Sequence, residues 1–215
     1  MFHTVSFPGP KGLEHLSLSQ SYAALSLFWI TYLAIGLLTD YDPRSRHIIT
    51  KSQVLLQLFY NIIATYLVVP FTHFVPQILL FDPTWYGYMS KYIVLCLLID
   101  FWFYYAHRIM HTKLFYRFHA MHHKFIDPCA LSGLYCSVFE MILVNFLSTA
   151  IPYRLLNMSF LEVCIWNCFV AYNVLLSHDH KMGASRIHVM HHNLLTVNYG
   201  AFYVWDDMHG TYRDE

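Results

Sequence analysis

A chain of 215 residues holds one domain with a sizeable core. It is 57% hydrophobic and 18% aromatic but only 12% charged; soluble domains carry about 25% charged residues, so composition and a mean hydropathy of +0.40 indicate a membrane protein. Its 13 basic residues balance 13 acidic ones, which removes any electrostatic case for nucleic acid.

The first twenty residues lack the basic, apolar, then small-residue order of a signal peptide, so the first span is expected to direct insertion and to stay in the protein. A span needs about 20 mostly apolar residues. The first is predicted over about Tyr22–Leu38 and is closed by TDYDPRSRH. A second runs from about Val54 to Leu80, interrupted by Pro70, His73 and Pro76, which predicts a kink or a re-entrant end near VPFTHFVP. A third covers about Tyr88–Tyr105 and ends in FWFYY, an aromatic cluster suited to an interface. Two shorter runs, about Leu134–Ile151 and Phe160–Ser177, carry Glu140 and Glu162 and are expected as a partly sheltered hairpin. The sequon Asn157-Met158-Ser159 falls in the tight loop between them and is expected to stay unmodified. Five cysteines show no C-x-x-C pattern, and Cys96, Cys164 and Cys168 read as buried free thiols in apolar runs.

Orientation follows from lysine and arginine alone. One set of loops holds Arg44, Arg46, Lys51, Arg108, Lys113, Arg117, Lys124, Lys181, Arg186 and Arg213, and the other holds Lys11, Lys91 and Arg154. The richer set, which carries most histidines, is therefore expected in the cytoplasm.

Residues 118–125 read FHAMHHKF and residues 187–194 read IHVMHHNL. His107 and His111 stand four apart in HRIMH, His119, His122 and His123 follow in HAMHH, His178 and His180 lie in SHDHK, and His188, His191 and His192 close the set in HVMHH. Positions i, i+3 and i+4 share one helix face, so each triplet is predicted to aim three imidazoles at one point. Imidazole suits iron, zinc, copper and nickel, and so many ligands exceed one ion and imply two adjacent metals. Bis-histidine haem would need one imidazole from each of two helices deep in a bundle, and H-E-x-x-H is absent. Lone histidines in apolar chains are usually hydrogen-bonded packing residues, the reading for His3, His15, His47 and His73. The expected fold is therefore an all-α, multi-pass membrane helical bundle of about four spans, with a histidine-rich two-metal cap on the cytoplasmic side. Residues 1–215 form a single membrane domain, with 1–99 mostly spans and 100–213 the histidine region.

The order DFWFYYAHRIMH, KLFYRFHAMHHKF, HVMHHNLLTVNYG and WDDMHGTY over roughly residues 100–213 resembles the fatty acid hydroxylase/sterol desaturase superfamily of membrane non-haem di-iron enzymes. The resemblance assigns its three boxes to His107 and His111, to His119, His122 and His123, and to His188, His191 and His192, and a further ligand to His178. His180 stands where relatives tend to have a small or polar residue, and it is assigned beside the ions with Asp100, Tyr104 and Asn198. Asp100 lies two helical turns before His107 and is expected to receive an imidazole N–H. Glu140 matches an acidic position that follows the second box in relatives. His209 departs from the pattern, which usually has an aromatic there.

The resemblance implies two iron ions, with zinc a possible substitute, and dioxygen as co-substrate. It also implies an apolar lipid substrate, sterol or fatty acyl, drawn from the bilayer. No haem, flavin or nicotinamide motif is present, so electrons are expected from a separate donor, a b-type cytochrome or an iron–sulfur carrier with its reductase. Hydroxylation is the leading expectation, desaturation the alternative, and a non-catalytic metal-binding membrane protein the reading from another class. A eukaryotic source would place the protein in the endoplasmic reticulum.

Overall fold

The computed structural model describes residues 16–45, 47–78, 81, 84–181 and 186–214; His3 and His15 lie outside them. Among these residues five helices are long and apolar enough to cross a membrane, one for each of the five apolar runs read from the sequence: α1 (Leu18–Leu38), α2 (Lys51–Thr72), α3 (Trp85–Met110), α4 (Val138–Leu155) and α5 (Phe160–His178). Two shorter helices follow, α6 (Arg186–Leu194) and α7 (Val204–His209).

Local chemistry sets these boundaries. Ser17 with Gln20, Thr50 with Gln53 and Ser159 with Glu162 form reciprocal capping boxes at the starts of α1, α2 and α5, satisfying backbone donors that an apolar helix cannot leave bare. The second apolar run breaks within VPFTHFVP, as expected: helix α2 contains Pro70 and ends at Thr72, and Pro76 disfavours helical backbone at the residue before it. The fourth span begins at Val138 rather than Leu134. Asn61 Nδ2 on α2 instead donates to the Leu134 and Cys136 carbonyls at 3.1 and 3.2 Å, holding that stretch outside the helix. Within α4, Met141–Phe146 form a π-helical stretch, and Trp102 Nε1 on α3 donates to the Leu143 carbonyl at 2.7 Å. Asn157, at φ 48°, turns the chain from α4 into α5.

Helix α1 packs along α5, and α3 lies against α4. Strand β1 (Arg44–Ser45), after α1, pairs antiparallel with β2 (Phe125–Asp127), after α3. Lys181, after α5, reaches Asp42 and Asp40 at 2.7 and 3.1 Å. The segments that follow α1, α3 and α5 therefore share one end of the bundle. The described members of the larger basic set belong to that end, while Lys91 and Arg154 lie at the other. Ile30, Leu67, Ile93, Leu161 and Ile165 are exposed on the spanning helices, as a lipid-facing surface requires. All five cysteines are free; Cys129 and Cys136 are the buried ones, whereas Cys96, Cys164 and Cys168 are only partly covered.

At the opposite end, Lys91 Nζ on α3 lies 2.8 Å from Glu162 Oε1 on α5, and both side chains are largely buried. Removing one partner of such a pair strands the other charge, so Lys91→Ala is expected to cost about 3 kcal/mol. Thermal unfolding in detergent, compared with Lys91→Ala/Glu162→Ala, checks this: the double variant should recover part of the loss.

Candidate metal centre

Nine histidines converge at the shared end in two groups. His107, His111, His119, His123 and His191 form one, and His122, His178, His188 and His192 the other; within each group the ligand atoms all lie within 4.8 Å of one another. His107 comes from α3, with His111 at its C-cap, His178 ends α5, and α6 supplies His188, His191 and His192.

The grouping corrects one expectation. Neither triplet aims at a single point. HAMHH is not one helix: a single turn ends at His119 and a 3₁₀ turn begins at His122. That break sends His119 and His123 to the first group and His122 to the second. HVMHH does lie on one helix, yet His191 faces the first group while His188 and His192 face the second. Both triplets thus serve both groups, which ties the two positions together, while His107 and His111 belong to the first group alone. Rings of the two groups touch, with His123 and His192 centroids 4.8 Å apart and those of His119 and His122 5.4 Å apart.

Four of these rings have a fixed tautomer. Nδ1 of His107 lies 2.8 Å from the Tyr199 carbonyl, that of His178 2.8 Å from Val174, that of His191 2.6 Å from Val197, and that of His192 3.0 Å from Phe125. A carbonyl only accepts, so each Nδ1 carries the proton and each Nε2 presents its lone pair inward. Nε2 atoms of the first group stand 2.8–3.2 Å apart among His107, His111, His119 and His123. Imidazoles at right angles around one ion, each about 2.1 Å from it, stand about 3 Å apart. Nε2 of His188, His191 and His192 is buried without a hydrogen-bond partner. A donor set of inward, unpartnered lone pairs at this spacing fits metal ions. Burial keeps the rings neutral: it pushes His111 down to about 2 and His192 to about 3. It also holds His119, His122, His123, His188 and His191 well below the ordinary histidine value.

The surrounding carboxylates are distributed differently from the sequence expectation. Asp100 is fully buried but contacts no imidazole: it accepts from the Phe202 and Trp205 backbone N–H groups at 2.7 and 3.1 Å. Asp206 accepts from Tyr199 and Gly200 N–H at 2.8 and 2.6 Å. Together they fix the loop whose Val197 and Tyr199 carbonyls hold His191 and His107. Asn198 pins the same loop, donating to the Ile187 and Arg213 carbonyls and accepting from Arg213 N–H. Tyr104 pairs through its hydroxyl with Thr211 at 3.3 Å and Arg108 at 2.6 Å. His180 binds the Pro128 carbonyl at 2.9 Å and belongs to neither group. His209 stacks on Tyr104 with centroids 5.0 Å apart, filling the aromatic's role. His73 contacts Ser21, and His47 is exposed.

Glu140 is the carboxylate nearest an imidazole, with Oε1 2.8 Å from His119 Nδ1. The contact is at hydrogen-bond distance but off alignment, which leaves Glu140 Oε2 and His119 Nδ1 unpartnered. In the sequence it is marked by an acid within an apolar run and by the acidic position that follows the second box in the family it resembles.

Gly200 fits between both aspartates: a Cβ there would stand 2.6 Å from Asp100 Oδ1 and 2.8 Å from Asp206 Oδ2. Gly200→Ala is therefore expected to shift the loop, release the two Nδ1 bonds and lower metal affinity about 10- to 100-fold. Titration of metal-stripped protein in detergent reads this directly.

A cavity of about 290 Å³ runs inside the bundle onto the centre. Apolar side chains such as Leu25, Phe28, Val69 and Ile99 line it, and His107, His119, His122, His178 and His188 close one end. Its volume is at the small end of the range for ligand sites.

The fatty acid hydroxylase family model matches residues 92–211, more than half of the chain. A Delta(7)-sterol 5(6)-desaturase of Gibberella zeae is 28% identical over 142 residues, covering 60% of this chain and 39% of its own length. Fatty acid hydroxylase domain-containing protein 2 of Homo sapiens is 25% identical, covering 60% and 40%. A very-long-chain aldehyde decarbonylase of Oryza sativa subsp. japonica is 29% identical, covering 57% and 54%. The chain thus spans about two-fifths to just over half the length of these relatives. No solved structure matches it. With histidines in all the expected boxes and the match extending through the closing loop, the chain belongs to the fatty acid hydroxylase family.

Proposed function

We propose that the chain hydroxylates an unactivated C–H bond of a sterol or fatty acyl lipid. The observation that carries this reading is the apolar cavity closed at one end by five of the nine imidazoles that gather in groups of five and four. Two iron ions held by these residues would supply dioxygen activation, the step that no side chain performs. The overall conversion takes R–H, O₂, two electrons and two protons to R–OH and water. The electrons come from a separate donor of the b-type cytochrome or iron–sulfur class.

The chain's own residues do the rest. Backbone carbonyls of Tyr199, Val174, Val197 and Phe125 hold four imidazoles in the ligating tautomer. Glu140 steadies His119. The cavity wall excludes water and lays the chain of the substrate against the rings. The basic residues at the histidine end support a cytoplasmic placement of the centre, where electrons arrive from water while substrate enters from the bilayer.

Desaturation is the second reading, supported by the likeness to the fungal sterol desaturase; there a second hydrogen leaves the substrate and two waters form. Lipid mass spectrometry in a sterol-containing host expressing wild type or His122→Ala separates the readings. A species specific to the wild type that gains one oxygen supports hydroxylation, and one that loses two hydrogens supports desaturation. Unchanged lipids together with tightly held zinc would favour a metal protein without catalysis.

A further inference from the structure

The end of the cavity opposite the histidines carries a single cation. Arg154, near the end of α4, lines it together with Leu16, Ser21, Thr72 and Tyr153. Its Nη1 donates to the Leu16 carbonyl at 3.2 Å, while its Nε is buried with no partner. Among the described residues eight buried side-chain polar atoms lack a partner; seven belong to the histidines or Glu140, and the eighth is this Nε. Both ends of one cavity therefore present unmet polar groups, lone pairs at one and an N–H donor at the other.

Beyond the Leu16 carbonyl, nothing described at that end pairs with the guanidinium, and Nε has no partner. Arg154 has no ion pair among the described residues, and Glu162 is held by Lys91 and Tyr92. The polar wall groups are already engaged: Ser21 with His73, Thr72 with the Val69 carbonyl, Tyr153 with Asn167. An unpartnered buried donor is costly, and a guanidinium edge of Nε–H beside Nη2–H matches the two oxygens of a carboxylate.

We propose that Arg154 seats the carboxylate of a long-chain fatty acid whose hydrocarbon chain runs through the cavity toward the histidines. This rests on the reading of the cavity as the lipid site. It also sets a ruler. Glu140, which touches His119, and Arg154 lie on the same helix fourteen residues apart, about 20 Å at 1.5 Å per residue. An extended chain advances about 1.2 Å per bond, so the carbon that meets the centre lies about 16 bonds from the carboxylate. A sterol, with a hydroxyl and no charge, would leave the guanidinium unneutralised.

The test is equilibrium binding of radiolabelled octadecanoic acid and its methyl ester to the full chain in detergent. Wild type is expected to bind the acid at least 10-fold more tightly than the ester. Arg154→Gln should bring acid affinity down to that of the ester and leave the ester unchanged. Equal affinities in wild type, no binding of the acid, or undiminished acid binding in Arg154→Gln would overturn the proposal. Should Arg154→Gln lose the ester as well, Arg154→Lys decides: the proposal requires a reduced preference for the acid, and an unreduced one overturns it. Product formation plays no part in this measurement. An intact acid preference in a protein that leaves lipids unoxidised would therefore remove the catalytic reading alone.

Discussion

His122→Ala is expected to abolish lipid oxidation, to below about 1% of wild type, and to lower bound metal from two ions per chain to about one. His122 belongs to the four-imidazole group with His178, His188 and His192, so its loss leaves three ligands. Loss of a partner one shell removed from a metal already costs 10- to 100-fold, and a direct ligand should cost more. His191→Ala makes the informative contrast. It comes from the five-imidazole group, and four ligands remain, the number that closes a tetrahedral site. His191→Ala should therefore keep more metal than His122→Ala while also losing activity. His47→Ala, on an exposed side chain, should leave both near normal. Metal analysis of purified protein beside lipid mass spectrometry checks all three variants, and full activity in His122→Ala would end the two-ion argument.

The contrast was not visible in the spacing of the boxes. His-x-x-His-His reads as three ligands on one helix face, and α6 keeps that periodicity. Yet the two histidine groups are close enough that one face addresses both, and the other triplet is broken by a turn at Ala120 and Met121. Spacing marked the eight histidines of the three boxes and the resemblance added His178, but neither told how the nine divide. The same holds for the spans. Apolar runs located all five, whereas their ends were decided by side-chain hydrogen bonds from elsewhere, such as Asn61 holding the Leu134 and Cys136 carbonyls. Asp100 was placed two turns above His107, and that face is right. Its carboxylate is nevertheless claimed by the N–H groups of Phe202 and Trp205, about a hundred residues downstream, a pairing that no local pattern encodes. Its effect on His107 passes through the Tyr199 carbonyl instead.

Glu140→Gln is expected to lower oxidation about 10- to 100-fold without lowering the stability of the metal-stripped protein. Glu140 is buried, with Oε1 2.8 Å from His119 Nδ1 and Oε2 unpartnered. A charge there would have no matched cation and would be costly in an apolar bundle, so a neutral amide of equal volume should preserve or raise the melting temperature. What the amide loses is a carboxylate that can accept the His119 Nδ1 proton and strengthen that ring as a ligand. A purely packing role would leave activity near normal in Glu140→Gln, because the shapes match. A purely electrostatic role would be rescued in part by Glu140→Asp, which keeps the charge but withdraws it by one methylene. The π-helical stretch begins at the next residue, Met141, and a widened turn of this kind shifts the residues beside it relative to an unbroken α-helix. If that shift is what places Glu140 against His119, Glu140→Asp should recover less activity than restoration of charge alone would give, and its metal affinity should fall with it.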